Sequence, residues 1–464
     1  MKHKQEVRYS MNETTSTGDI KKDLISLFRQ NTGALESGSG QVLNRHREQA
    51  FHDFDRLGIP TTRNEAYRYT PLEKYLQGNF DVELNANPFE INLKEVFKCD
   101  IPEMDTHVVL ILNGFFYSLK EAEPFPAGVV VCGLNEASAK YPGLFHEHYA
   151  RYADTSADGL VALNTLFAQD GVFIYLPKGA VVSKPIQIIN LSHSFKNLRI
   201  TRRNLIVAEE NSHVNIVMCD HTLCHQQYLT NSLTEIVTRK SAVVDYNRMQ
   251  NENTQSIHIN NLFVYQEENS RFTGNSISLH GGLIRNNFYA TLAGAYSETN
   301  LYGLFLCDDT QHVANYVLVT HAAPNCNSNQ LFKGILDDNA TGAFNGKILV
   351  RKDAQKTLAY QKNNNILLSS TARMNTKPHL EIYADDVKCS HGATVGQLDL
   401  DAMFYLRSRG IGEKEARHLL MYAFANDIVG KITIPILKDR IIELVDKRLR
   451  GELTRCNNCD IRCG

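Results

Sequence analysis

The sequence predicts a mainly β protein, a parallel β-helix flanked by α-helical N- and C-terminal regions, and three observations carry that prediction. Short runs of β-branched and aromatic residues, punctuated by glycine and proline, begin near residue 105. A polar turn recurs through the middle of the chain at nearly one period. Apolar residues at helical spacing are concentrated at the two ends.

The repeat is the most informative of these. Glu209-Glu210-Asn211-Ser212 precedes the run His213 to Val217, and Glu267-Glu268-Asn269-Ser270 precedes Arg271-Phe272-Thr273. Between them Arg239-Lys240-Ser241 leads into Val243-Val244-Asp245-Tyr246, and Ser297 precedes Glu298-Thr299-Asn300-Leu301. The turn serines stand at 212, 241, 270 and 297, in steps of 29, 29 and 27 residues. Such a period marks stacked coils, each burying its apolar side chains against its neighbours and unable to fold alone. Val214, Val243 and Phe272 are therefore expected in one sheet. Asn251 to Asn261 and Asn363-Asn364-Asn365 suit left-handed turns or ladders between coils. An antiparallel sandwich or barrel also gives short strands at regular spacing, but it favours tight hairpins, and Asn345-Gly346 and Asp170-Gly171 are few.

In chain order, residues 1–18 are polar and expected to be disordered. Residues 19–100 form a helical N-terminal domain, with helices near Lys21 to Phe28 and from Gln41 to Leu57, the second stopped by Gly58 and Pro60. Pro60 to Leu76, carrying Tyr67, Tyr69 and Tyr75, reads as an irregular stretch docked on the body. Residues 101–378 are the β-helix core, including Val108 to Leu112, Val129 to Val131, Val172 to Leu176 and Ile186 to Ile189. Residues 379–450 are a helical C-terminal domain. Its first helix runs from Asp399 to Ser408. A second starts at Glu413, with Ala416, Leu419, Leu420, Ala423 and Phe424 as its apolar stripe, and a third spans Pro435 to Arg450. Residues 451–464 are a cysteine-containing tail.

Composition excludes several classes. The net charge of −2, from 49 basic and 51 acidic residues, supplies no general field for nucleic acid or anionic lipid. No apolar run has the length of a signal peptide core or a membrane span, so neither nucleic acid nor membrane is an expected partner. Of the ten cysteines seven are scattered, unlike a secreted disulfide framework, which points to a reducing cytoplasm. There is no G-x-x-x-x-G-K-[ST] phosphate loop, so the chain is not expected to hold ATP phosphates in the standard way, and an ATPase would be another chain.

The segment Asp385-Asp386-Val387-Lys388-Cys389-Ser390-His391-Gly392-Ala393-Thr394-Val395-Gly396, followed by Gln397-Leu398-Asp399 and Met403 to Ile411, resembles the C-terminal signature of the SufB/SufD family of iron–sulfur cluster assembly scaffolds. Ser390 and Leu406-Arg407-Ser408-Arg409 resemble its SufD branch. A second block, His321 to Leu336 with Pro324-Asn325-Cys326 and Lys333-Gly334, and a third, Phe344 to Ile348 continuing to Gln361, agree. The resemblance implies a right-handed parallel β-helix and a non-catalytic scaffold subunit of the SUF complex. That subunit would pair with a SufB-like partner through the β-helix ends and bind a SufC-like ATPase through its C-terminal helices. Met403, Phe404, Leu406, Arg407 and Ile411 are the residues expected to dock the ATPase. No cofactor is expected to be held tightly by the chain alone. A transient iron–sulfur cluster and a reduced flavin are assigned to the assembled complex, and a homodimer to the isolated chain.

Cys389 and His391, two residues apart on an extended segment, share a face and would present a thiolate and an imidazole to one metal edge. On spacing alone a packed Cys beside a hydrogen-bonded His is the commoner arrangement. The resemblance implies that His391 faces a SufB cysteine across an interface, as cluster ligand or ligand-orienting group. Cys456, Cys459 and Cys463 offer three thiols in C-x2-C-x3-C spacing, suited to part of a zinc or cluster site, but the tail lacks a fourth ligand and departs from the family pattern. Cys219, Asp220, His221, Cys224 and His225 lie close enough in sequence to bind a metal, though residues of a β-helix turn more often satisfy backbone groups. His146 and His148 read as solvated surface histidines. Parallel β-helices also serve as polysaccharide lyases, with Asp308-Asp309 and Asp337-Asp338 as acid and base pairs. The absence of Trp and of an export signal argues against that class. A SufB-like subunit that carries the cluster itself is the remaining alternative.

Overall fold

The computed structural model describes residues 20–86, 104–118, 124–224 and 226–453. Among these residues the chain builds two ten-stranded sheets whose hydrogen-bonded neighbours are mostly two strands apart in sequence. Successive strands therefore alternate between the sheets, and the product is a parallel β-solenoid. Antiparallel pairing is confined to the entry of the solenoid, where His107–Leu112 pairs Phe115–Tyr117 and Val130–Gly133 pairs Val172–Leu176.

The repeat of turns has the predicted consequence, with one shift of register. Val214, Val244 and Phe272 are aligned on three stacked strands and all face the core, whereas Val243 pairs with His213 and Arg271. Ser241 accordingly stands where the other coils place Asn211 and Asn269, all three in the left-handed region with φ of 57°, 58° and 57°. Short polar side chains that bond locally tolerate this conformation better than bulky ones. The equivalent of Ser212, Ser270 and Ser297 is Ala242, since Ala242 N–H closes its turn on Arg239 as Ser212 and Ser270 N–H close on Glu209 and Glu267. The three serine hydroxyls each donate to the carbonyl three residues back, at 2.6, 2.8 and 2.9 Å.

The asparagines form ladders between coils. Asn275 donates to Asn247 at 2.8 Å, Asn260 to Asn286 at 2.9 Å and Asn287 to Asn261 at 2.8 Å. Each such bond pairs a buried amide that would otherwise cost about 1–3 kcal/mol.

The N-terminal helices Ile20–Ser37 (α1) and Gln41–Leu57 (α2) pack beside a 3-10 turn at Glu65–Tyr67 and the short helix Leu72–Leu76 (α3). The first helix is a full two turns longer than the pattern suggests. Three helices interrupt the expected β region: Leu134–Lys140 (α4), Pro142–His148 (α5) and Gly159–Phe167 (α6). All nine residues of α6 are buried, so its sequence GLVALNTLF lacks the polar face that makes a helix legible. His148 is buried, its Nδ1 3.1 Å from Tyr152 Oη, and only His146 is the exposed histidine expected of the pair.

The solenoid continues past residue 378, which lies inside the strand Arg373–Ile382, and ends with Val387–Gly396. Leu400–Ser408 (α7), Glu413–Val429 (α8) and Pro435–Arg450 (α9) follow. Asp399 caps α7 by accepting from Asp401 N–H and Ala402 N–H at 2.9 and 3.0 Å. Helices α8 and α9 cover the outer face of one sheet, packing Met421, Ile428, Ile441 and Leu444 against Met249, Ile277, Leu304 and Ile335. The buried side of α8 is Ala416, His418, Met421, Ala425, Ile428 and Val429, and Leu419 is exposed, so the apolar stripe is rotated from the one expected.

Candidate functional site

The last coil leaves the solenoid open. Arg373–Ile382 pairs only with Thr341–Val350, and Val387–Gly396 only with Thr357–Leu367, so among the described residues both strands expose a free edge. Cys389 and His391 lie on the second of these strands, opposite Ala359 and Gln361. Alternation puts both on the inward face of the coil, as the spacing predicts.

The two side chains differ in surroundings. Cys389 is half-buried against Ile348, Val350, Ala359 and Ala384. Burial pushes its thiol pKa up, against a backbone hydrogen bond at Ala359, which disfavours the thiolate in the chain alone. His391 is exposed and has no hydrogen bond or ion pair among the described residues, so its ring nitrogens are available to a ligand.

Beneath His391 runs a polar column. Gln361, its register partner, is buried and donates through Nε2 to Gln330 Oε1 at 2.7 Å, one coil deeper. Gln361 Oε1 has no partner among the described residues. Gly346 makes room for this amide: a Cβ there would lie 2.5 Å from Gln361 Nε2. Asn365 donates to the Thr394 carbonyl at 3.2 Å and ties the last strand to the coil below. Gln330, Gln361 and His391 were missed as a set, though their spacing of 31 and 30 residues is one coil of the repeat.

The cluster around Asp220 is a closed ion-pair network. Its carboxylate takes Arg248 at 2.6 and 2.9 Å, Arg202 at 3.1 Å and Asn190 at 3.0 Å. Arg202 Nη2 lies 2.7 Å from His258 Nε2, and His258 Nδ1 lies 2.9 Å from Glu252. A guanidinium only donates, so His258 accepts at Nε2. Asp220, Glu252 and His258 are close enough to surround a cation, but two guanidiniums already occupy that space. Cys219, next to Asp220, points to the opposite face and packs under α8 and α9. His225 lies outside the described residues.

The ATPase-docking candidates are on the least buried helix of the C-terminal set. No residue of α7 is buried. Phe404 is 75% exposed, Leu400 74% and Tyr405 56%, an apolar display largely left uncovered among the described residues. Met403, Leu406 and Ile411 are half-buried, and exposed Arg407 lies 3.6 Å from Glu413. Cys456, Cys459 and Cys463 lie outside the described residues. The paired aspartates are corner residues. Asp309 and Asp338 have φ of 53° and 50°, and Asp308 accepts from Arg448 at 2.6 Å, so they shape turns and anchor α9.

Comparison with known proteins bears on the same elements. Residues 191–424 match the model of the SUF system FeS cluster assembly SufBD core domain, and residues 18–188 that of the SufBD protein N-terminal region. An iron-sulfur cluster assembly SufBD family protein of Synechocystis is 31% identical over 444 residues, covering 93% of this chain and 96% of that protein. The iron-sulfur cluster assembly protein SufD of Escherichia coli is 28% identical over 421 residues, 90% of this chain and 96% of that protein. SufD of Bacillus subtilis is 26% identical over 334 residues, 70% of this chain and 74% of that protein. With both halves of the chain matched and the solenoid carrying the Cys389 and His391 signature at its open end, the chain belongs to the SufB/SufD family of the SUF iron–sulfur cluster assembly system, with SufD proteins among its relatives.

Proposed function

We propose that this chain is the SufD-type scaffold subunit of a cytoplasmic SUF complex and has no catalytic chemistry of its own. The open solenoid end pairs with a SufB-like subunit, and α7 with the start of α8 docks a SufC-like ATPase. The nascent cluster is cargo built at the shared interface, where His391 ligates or orients it. The observation that carries this reading is the free imidazole of His391 at the mouth of a polar column, on a strand whose outer edge is unpaired. Iron in a growing cluster accepts an imidazole where a thiolate set is incomplete. Cys389 is the weaker ligand because burial disfavours its thiolate.

Affinity purification tests the reading. The tagged chain is expected to retain a SufB-like and a SufC-like subunit, to hydrolyse no ATP without the latter, and to form a homodimer when expressed alone. Capture of neither partner, or ATP turnover by the chain free of other ATPases, would overturn it.

A further inference from the structure

We infer that a notch in one corner of the solenoid, on coils short of the open end, binds a free α-amino acid through its ammonium and its carboxylate together. The corner is built unevenly. Glu252 to Ser256 join Asn251 to Ile257, and Asp308 to Gln311 join Cys307 to His312. The coil between them crosses the same corner on Gly281 and Gly282 alone. This shortening accounts for the step of 27 residues from Ser270 to Ser297. A side chain cannot fill the gap, since a Cβ on Gly282 would lie 2.3 Å from the Thr254 carbonyl oxygen. Strands of successive coils lie about 4.8 Å apart, so the two longer corners stand about 10 Å apart across the glycines. Helix α3 roofs the notch, held by Leu72 and Leu76, which pack with Leu229, Ile257 and Leu283 of the solenoid. The cavity measures about 340 Å³, the size class of one small molecule.

The lining sets the chemistry of the ligand. Lys74 enters from α3 and Asp309 from the later corner, above a floor of Ile257 and Leu283. Lys74 and Asp309 carry opposite charges, and neither has an ion pair among the described residues. A ligand of one sign would satisfy one of these charges and oppose the other, whereas a zwitterion satisfies both. Gln311, in the same wall, is buried; its Oε1 accepts from Asp308 N–H at 3.4 Å, and its Nε2 has no partner among the described residues. A ligand carboxylate supplies the acceptor that this amide lacks. Both corners are braced. Asn253 accepts from Gln255 N–H at 2.9 Å and donates to the Gln226 carbonyl at 3.2 Å, and Asp309 N–H donates to Asp338 Oδ2 at 3.1 Å. Walls fixed in advance lower the ordering cost of binding.

Isothermal titration of the whole chain with the common L-amino acids tests the site. At least one is expected to bind with a Kd of about 1 mM or tighter. Its analogues without the amino group, or with an amide in place of the carboxylate, are expected to bind about tenfold more weakly or worse. Lys74→Gln and Asp309→Asn lie at exposed positions, and asparagine suits the φ of 53° at residue 309. Each is expected to weaken binding about tenfold and leave thermal unfolding unchanged. Absence of binding by every amino acid, affinity unaffected by both substitutions, or equal binding of the uncharged polyol glycerol overturns the inference. None of these outcomes touches the pairing proposed at the open end.

Discussion

Gln361 and His391 are register partners on the last two coils, the first buried with a carbonyl oxygen unpaired among the described residues and the second exposed at the mouth. Their separation in burial by one coil makes the role of His391 testable.

His391→Ala is expected to change stability by less than about 0.5 kcal/mol, as for a surface site. Cluster formation in the assembled complex should nevertheless fall, because an iron position is left to water. Melting temperature measured beside iron and sulfide content checks both parts. A destabilised variant that assembles clusters normally would show a structural histidine.

Phe404→Asp on α7 is expected to abolish capture of the ATPase while leaving thermal unfolding of the chain unchanged, because Phe404 buries little within it. Met421→Asp on α8 should instead unfold the C-terminal packing, since Met421 lies in the cluster under that helix. Pull-down and circular dichroism distinguish the two.

Glu235→Ala is expected to destabilise the chain by about 3–5 kcal/mol, the cost of stranding a buried partner charge. Arg203 and Glu235 are fully buried and 2.6 Å apart, and Glu235 also accepts from the backbone of Ala150, Tyr152 and Ala153. Loss of that anchor should expose the loop after α5 to proteolysis before the solenoid unfolds, which limited digestion would follow.

Stability should fall as pH drops from about 6.5 to about 4. Burial lowers the pKa of both His312 and His321 to about 4 in the folded chain. Between these values the unfolded chain binds protons that the folded chain does not, so stability rises with pH by up to about 1.4 kcal/mol per unit for each histidine. Replacing His321 with Gln, which can still pair with Ser328, should flatten the slope of unfolding free energy against pH by one such contribution. An unchanged slope would place the histidine outside the transition.

Asp220 should add a second acid limb. Burial alone would raise its carboxyl, but the Arg248 and Arg202 guanidiniums outweigh this and hold it well below the usual carboxylate range. Its contribution is present above about pH 4 and is lost below that as the folded carboxylate takes a proton. Asp220→Asn should remove this limb and lower stability at neutral pH, as chemical denaturation across pH would show.

The sequence by itself determined the elements that local chemistry controls. The helices Gln41–Leu57 and Pro435–Arg450 end where glycine and proline place them, and the solenoid was legible because Asn211, Ser241, Asn269 and Asn325 mark the same bend, although Tyr296 and Lys356 take it in two other coils. The alternation of Cys389 and His391 onto one face followed from the extended backbone alone. Tertiary structure decided whatever depends on a partner distant in the chain. Ser241 and Ser212 look equivalent until strand register sets them one place apart. Helix α6 was hidden because it is buried on every side, and α8 shows a stripe different from the one it buries. Asp220 resembled a metal ligand until Arg202 and Arg248, 18 residues before and 28 after it, filled the space around its carboxylate. Pairing and burial join residues one coil or more apart, so side-chain type and spacing set the repeat, while stacking alone sets which groups remain open at its end.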